Sequence, residues 1–168
     1  MRAHRPLALA LALALVLAAA PLAAQPYDDR IVEACLAAHW GGQNDRESCI
    51  GIAARVCMPV GEAGADAAIA CHQAEAAQWA EMLDETLTAL RAQLGEGETP
   101  SEDAGEPESV QALDRAQEAW QAFRDATCEV DALRWPDADI GRADRAECLT
   151  RLTARQVLEL QSRLAGAM

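Results

Sequence analysis

The stretch IACHQAEAAQWAEMLDETLTALRAQL, residues 69–94, decides the fold class of this chain. Its apolar side chains recur at steps of three and four residues, which is the spacing of one face of an α-helix. That stripe consists of Ile69, His72, Ala76, Trp79, Leu83, Leu87, Leu90 and Leu94. The stretch therefore predicts a helix of about seven turns. The intervening charged residues are expected to face away from the stripe: Glu75, Glu81, Asp84, Glu85 and Arg91.

Two further stripes with the same period lie closer to the C-terminus. The first predicts a long helix with a core-facing row made of Val110, Leu113, Ala116, Trp120, Phe123 and Thr127. The second predicts another long helix, with Cys148 or Leu149, Leu152, Gln156, Val157, Leu160 and Leu164. No segment alternates with a period of two, so no sheet is expected.

Two shorter helices are expected before these three. Residues 28–40 form the first, which ends at the glycine pair 41–42 because glycine tolerates the left-handed conformation that closes a helix. Asn44 and Glu47 resemble a capping box and open the second, which should run to Cys57. The sequence thus predicts an all-α bundle of about five helices, two short and three long, with residues 25–60 forming a helical hairpin extension.

The first 24 residues have the layout of a cleaved secretory signal. Arg2 and Arg5 form a short basic start, residues 7–20 are apolar, and small residues surround Ala24. The apolar run is shorter than the roughly 20 residues that a membrane span requires. We therefore expect an exported protein, periplasmic or secreted, with no membrane anchor after cleavage. Residues 25–168 would form a single all-helical domain.

The charge balance bears on the class of partner. The chain has 14 basic and 27 acidic residues, and its formal net charge is -13. Removal of the predicted signal takes away two arginines and no acid, which moves the charge from -13 to about -15. A surface of this sign repels nucleic acid and anionic lipid and favours basic or soluble partners. Charge also keeps an exported protein in solution without any partner.

Six cysteines follow the predicted signal, and an even number in an exported chain predicts disulfides. The chain has no C-x-x-C spacing, and only His39 and His72 remain after processing, so no metal or other cofactor is expected. Short connections place consecutive helices antiparallel, so cysteines on either side of one corner lie close together. The expected pairs are Cys35–Cys49, Cys57–Cys71 and Cys128–Cys148.

The segment GEGETPSEDAGEP, residues 95–107, has no apolar periodicity and is rich in glycine, proline and acid. Segments of this composition do not bury enough apolar surface to become ordered. We expect a flexible acidic linker between the two longest helices.

Two motifs resemble the DUF1311 family, also called the lysozyme inhibitor LprI N-terminal domain family. In that family a helix reads Gln-x-x-Trp-x-x-Tyr/Phe-Arg-Asp-x-x-Cys, which is matched here by Gln117, Trp120, Phe123, Arg124, Asp125 and Cys128. An upstream Cys-x-x-x-Glu-x-x-x-Trp motif is matched by Cys71, Glu75 and Trp79. The resemblance covers about residues 71–160. It implies a bacterial exported protein that binds and blocks lysozyme.

The segment AWQAFRDATC, residues 119–128, is interpreted as a packing element of its helix. Trp120 and Phe123 are expected to face the core, with Arg124 and Asp125 on the solvated side. Neighbouring residues on a helix do not face one another, so the last two are not an obvious catalytic pair.

The loop expected over residues 129–145 is the candidate partner-binding site. Its candidate residues are Asp131, Arg134, Trp135, Asp137 and Asp139. Tryptophan is common at binding hot spots, and a protruding Trp135 would fill a sugar-binding cleft. The alternative is that Trp135 folds back onto the helices. In many family members this loop carries Gly-Gly-Ser, which is absent here.

These observations favour two functional classes and argue against a third. The first is a binder or inhibitor of a cationic lysozyme-type muramidase. The second is a non-enzymatic accessory or structural protein of the envelope that binds another exported partner. An enzyme is not expected, because the chain contains no G-x-S-x-G, glycine-rich phosphate loop or H-E-x-x-H motif.

Overall fold

The computed structural model describes residues 26–39, 43–59, 64–96 and 107–166. The predicted signal lies outside these residues, as do residues 40–42 and most of the acidic linker, 97–106. The described elements are α1 (Arg30–Ala38), α2 (Gln43–Arg46), a 3₁₀ helix (Glu47–Cys49), α3 (Ile52–Cys57), α4 (Ala65–Glu96), α5 (Glu108–Leu133) and α6 (Ala138–Gly166). No strand occurs in the described ranges. The all-α fold with three long helices is therefore confirmed.

The core lies where α4 packs along α6, with α5 against α6 on one side. It contains Trp79, Leu83, Leu87 and Leu90 from α4, Ala154, Val157, Leu158 and Leu160 from α6, and Val32 and Leu36 from α1. Each large apolar side chain buried in this way contributes roughly 1.5–3 kcal/mol. No helix among the residues described has both the length and the hydropathy needed to cross a bilayer.

The N-terminal residues pack on the long helices and do not form a separate arm. The Tyr27 hydroxyl donates a hydrogen bond to Gln78 Oε1, and Gln78 Nε2 donates to the Asp29 carbonyl oxygen at 2.8 Å. Burial, together with nearby carboxylates, raises the pKa of Tyr27, so this hydroxyl remains a donor at all physiological pH values. Gln78 therefore fixes the start of α1 on the middle of α4.

Glu75 corrects the expectation that every charged residue of α4 faces away from the core, because its side chain is fully buried. Its Oε1 accepts hydrogen bonds from the Gly51 backbone N–H at 2.6 Å and from Trp79 Nε1 at 3.0 Å. Its Oε2 accepts the Ala54 N–H at 2.7 Å. The first N–H groups of a helix have no partner within it. A carboxylate on α4 therefore caps the N-terminus of α3.

The second short helix is not continuous from residue 44 to Cys57, as predicted, although it ends at Cys57. Ile50 is extended, and Gly51 has φ +76°, a left-handed conformation that glycine adopts readily. This break separates the 3₁₀ helix from α3. It frees the N–H groups of Gly51 and Ala54 to bond with the Glu75 carboxylate.

Three disulfides join the expected pairs, Cys35–Cys49, Cys57–Cys71 and Cys128–Cys148. They link α1 to the 3₁₀ helix, α3 to α4, and α5 to α6. The residues of each pair are 14, 14 and 20 positions apart along the chain. Loop-closure entropy makes bridges of this size worth about 3 kcal/mol each.

The core-facing row of α5 differs from the predicted row. Its buried members are Val110, Gln117 and Cys128, and Trp120 is partly covered by the core. The side chain of Phe123 is 60% exposed, so its assignment to the core was wrong. Ala116, predicted in the same row, is also exposed.

Candidate partner-binding site

The segment 129–145 is mostly helical, which corrects the prediction of a long loop. α5 continues to Leu133 and α6 begins at Ala138, so only residues 134–137 form the turn. Asp137 Oδ1 accepts the backbone N–H groups of Asp139 at 2.8 Å and Ile140 at 3.2 Å. An aspartate in this position satisfies N–H groups at the start of α6 that lack a partner within the helix.

The two helices approach closely at this corner because of Gly141. A Cβ atom added to Gly141 would lie 2.6 Å from the backbone oxygen of Ala132. Any other residue would therefore push α6 away from α5. The Cys128–Cys148 disulfide joins the same two helices further from the turn. The corner is thus held by a covalent bond and by a contact that only glycine permits.

Two arrangements of Trp135 were expected, one protruding from the loop and one folded back onto the helices. The structure combines features of both. The Trp135 Nε1 donates a hydrogen bond to Asp144 Oδ2 at 2.9 Å, and the Arg134 guanidinium carbon lies 5.4 Å from the ring centroid. Arg134 also contacts Asp144 at 3.3 Å. Trp135 is still 41% exposed. Trp135 is therefore fixed in orientation by α6 and the turn, while a large part of its surface is open to solvent.

The other predicted loop residues are spread over the two helices. Asp131 lies in α5 and pairs with Arg151 of α6 at 3.3 Å, so it stabilises the helix contact. Asp139 pairs with Arg142 at 2.8 Å on the exposed first turn of α6. Only Asp137 and Asp139 thus remain as exposed acids beside Trp135.

Sequence reasoning missed two exposed apolar side chains at this corner. Leu133 ends α5 and is 74% exposed, and Ile140 in the first turn of α6 is 46% exposed. With Trp135 they form what we call the corner surface: Leu133, Trp135 and Ile140, flanked by Asp137 and Asp139. The missed signal was an apolar residue on each side of the Trp-Pro dipeptide.

The segment 119–128 is held together by contacts along its own helix. The Arg124 guanidinium lies over the Trp120 ring, 5.1 Å from its centroid, and pairs with Asp125 at 2.8 Å. The expectation that Arg124 and Asp125 do not meet was therefore wrong. The arginine side chain bends over the tryptophan and is partly buried, which brings its guanidinium within reach of the neighbouring carboxylate.

A sequence model described as lysozyme inhibitor LprI matches residues 57–160. This match includes both motifs and all of α4 and α5. The chain belongs to the LprI lysozyme-inhibitor family. No curated protein and no solved structure matches the chain. The LprI region begins at Cys57, earlier than the resemblance predicted, and the residues before it lie outside the match.

The motif residues of the LprI region perform packing roles in this structure. Glu75 caps α3, Trp79 is fully buried, and Gln117 Oε1 accepts a hydrogen bond from Gln156 Nε2 of α6 at 3.2 Å. These residues hold α4, α5 and α6 in place, and among them only Phe123 and Asp125 are exposed.

The two histidines that follow the predicted signal have structural surroundings in this LprI-family chain. His72 is buried on α4, and its backbone oxygen accepts a hydrogen bond from Thr150 Oγ1 of α6 at 2.9 Å. Burial lowers the pKa of His72, which keeps its imidazole neutral near pH 7. His39 lies near Cys35 and Cys49, but the two sulfur atoms are bonded to one another and are not thiolate ligands.

Proposed function

We propose that this LprI-family chain is an exported, non-enzymatic protein that binds a cationic lysozyme-type muramidase and inhibits it. The family description supports this class of partner. The formal net charge of -13 supports long-range attraction to a basic enzyme. The observation that carries the proposal is family membership together with an exposed apolar corner flanked by carboxylates.

The corner surface has the composition of a small binding site. Tryptophan is enriched among the residues that contribute most to binding, and Leu133 and Ile140 supply apolar area beside Trp135. Asp137 places negative charge at its edge, where it favours encounter with a basic protein, whereas the charge of Asp139 is offset by its pair with Arg142. The disulfide and the Gly141 contact fix the corner before binding, so little conformational entropy is lost.

Export is supported by two separate features. The predicted signal over residues 1–24 directs secretion. The three disulfides are of the kind that persist in an oxidising compartment such as the bacterial periplasm. The proposed location, periplasmic or secreted, would bring the protein together with lysozymes that act on the cell wall.

A lysis assay tests this function directly. Purified protein is added to lysozyme and peptidoglycan at low ionic strength, and the rate of clearing is measured. We expect inhibition by the wild type that weakens with added salt, since salt screens charge attraction. Trp135→Ala should raise the inhibition constant by roughly thirtyfold, the effect of losing a hot-spot residue.

Val56→Ala is the matched control, because Val56 is an exposed apolar residue on α3, outside the corner surface. It should inhibit like the wild type. Absence of inhibition of any lysozyme by micromolar wild-type protein at low salt would refute the proposal. In that case, capture of a different exported protein would favour the accessory role in the envelope.

A further inference from the structure

α5 carries a second apolar row on a face that does not contact the core. Every member of this outer row is apolar and exposed: Ala112, Ala116, Ala119, Phe123, Ala126, Val130 and Leu133. The steps alternate between four and three residues, so the row repeats every 3.5 residues. This is the repeat of the contact line between two helices in a coiled coil. At 1.5 Å per residue, the row is roughly 32 Å long.

The large members of the outer row lie at its C-terminal half and the small members at its N-terminal half. Phe123, Val130 and Leu133 are 60%, 67% and 74% exposed. Alanines occupy all three positions before Phe123. We infer that the outer row is the contact surface for a second copy of this chain, with the two α5 helices packed antiparallel about Phe123.

The antiparallel register makes the row complementary to itself. With Phe123 opposite its own copy, Val130 faces Ala116 of the second copy. Leu133 and Ala112 lie within one residue of facing each other, and so do Ala119 and Ala126. Large side chains thus meet small ones at both ends of the contact, while Phe123 packs on its own copy at the centre; alternating large and small residues fills space between packed helices. A parallel pair would place Leu133 opposite Leu133 and leave the alanines opposite one another.

The charges beside the row are complementary in the same register. Arg115 and Glu129 are both exposed and lie on the same side of the outer row. In the antiparallel pair, Arg115 of one copy lies two residues from the position opposite Glu129 of the other, about 3 Å along the helix, which their long side chains can span, and the contact occurs twice. Within its own chain Glu129 pairs with Arg145 at 3.5 Å, and the Glu129 side chain is 59% exposed, so it is accessible to a second copy. Opposite charges in these flanking positions set helix orientation in coiled coils.

A groove adjoins the small end of the row. It lies between α4, α5 and α6, has a volume of about 890 Å³, and is lined by Leu90, Leu94, Ala112, Leu113, Ala116 and Leu160, among others. In the antiparallel register, Leu133 and Val130 of the second copy lie beside this groove. The most exposed apolar side chains of one copy thus lie next to the groove of the other, whose lining contains both apolar and polar residues.

The outer row shares Leu133 with the corner surface, but the inference does not require the proposed function and has the opposite dependence on salt. Two acidic copies repel each other, and salt screens that repulsion. Self-association should therefore strengthen with salt, whereas binding of a cationic lysozyme should weaken.

Sedimentation velocity of the processed, disulfide-bonded chain tests the inference over a wide concentration range at moderate salt. The wild type should shift from monomer to dimer mass. Ala126→Glu places charge in the centre of the contact and should weaken association by at least about tenfold. Ala80→Glu makes the same change on an exposed face of α4 and should leave association unchanged. Circular dichroism should show that both variants remain folded.

A charge exchange tests the register. Arg115→Glu alone and Glu129→Arg alone should each weaken association, and the double variant should restore it. A wild type that stays monomeric at all concentrations would overturn the inference, as would equal effects of Ala126→Glu and Ala80→Glu. Loss of lysozyme capture in Ala126→Glu without any change in self-association would assign the row to the lysozyme instead and also overturn it.

Discussion

Replacement of Glu75 by glutamine should destabilise the fold more than any other change of a single acid to its amide. The buried carboxylate accepts three hydrogen bonds, from Gly51, Ala54 and Trp79, at 2.6–3.0 Å. A glutamine side chain has one oxygen and one NH₂ group. If the oxygen keeps the bonds to Gly51 and Trp79, the NH₂ group is placed against the Ala54 N–H, and two donors face each other.

The cost follows from these contacts. A buried N–H left without an acceptor costs about 1–3 kcal/mol, and the two remaining bonds lose the strength that the charge gives them. We expect Glu75→Gln to lower the free energy of unfolding by about 3 kcal/mol. For a protein of this size the melting temperature should fall by roughly 6–12 °C.

Urea denaturation followed by circular dichroism measures this effect. Glu81→Gln is the matched control, because Glu81 is exposed on the same helix and should change stability by less than about 0.5 kcal/mol. Hydrogen exchange at the Gly51 and Ala54 amides should accelerate in Glu75→Gln before the global transition. Equal stability of the two variants would show that the buried carboxylate does not cap α3.

Three further predictions concern the corner, His72 and the third disulfide. Gly141→Ala should lower stability by about 1–3 kcal/mol in urea titration, because its Cβ would meet the Ala132 oxygen at 2.6 Å, whereas Gly95→Ala has open space and should not. Because burial lowers the pKa of His72 in the folded chain, the unfolded chain binds the proton more readily as pH falls below about 6.5. Stability should therefore decrease below that pH by at most about 1.4 kcal/mol per unit, and His72→Gln should remove this slope in melting curves from pH 5 to 8. Replacing Cys128 and Cys148 together by alanine should cost about 3 kcal/mol by calorimetry, and no loss would show that the bridge does not constrain the unfolded chain.

The sequence predicted the long helices well because their apolar residues recur with a helical period over many turns. The α4 stripe from His72 to Leu90 is buried almost as expected. The cysteines on either side of the short connections are paired as the antiparallel arrangement requires. These features depend on local periodicity and short chain separations, both of which are visible in one sequence.

The burial of Glu75 was not predictable from periodicity. An apolar periodicity assigns a charged residue to the solvated face of its helix. In the structure, this carboxylate is buried and accepts hydrogen bonds from N–H groups of a segment more than 20 residues earlier. The break at Gly51 belongs to the same network and was missed for the same reason.

The core-facing row of α5 was predicted only in part, with Val110, Leu113 and Trp120 correct and Ala116 and Phe123 wrong, because the helix has two apolar faces. Alanines are frequent along α5, so both the core-facing row and the outer row match a helical period. The prediction mixed Phe123 and Ala116 of the outer row with Trp120 of the core row. At the corner, a long loop was expected over residues 129–145, although Asp137 caps a new helix directly after the Trp-Pro dipeptide.

The positions of the disulfides have a consequence for the integrity of the chain. Each disulfide joins two cysteines that are close in the sequence. None of the three connects the part of the chain up to Glu96 with the part from Pro107 onward. Hydrolysis of one peptide bond between these two parts would yield two polypeptides without breaking any sulfur bridge. Their cohesion would then depend on the interface of α6 with α4. The molecule is thus a natural candidate for complementation between two separately produced fragments.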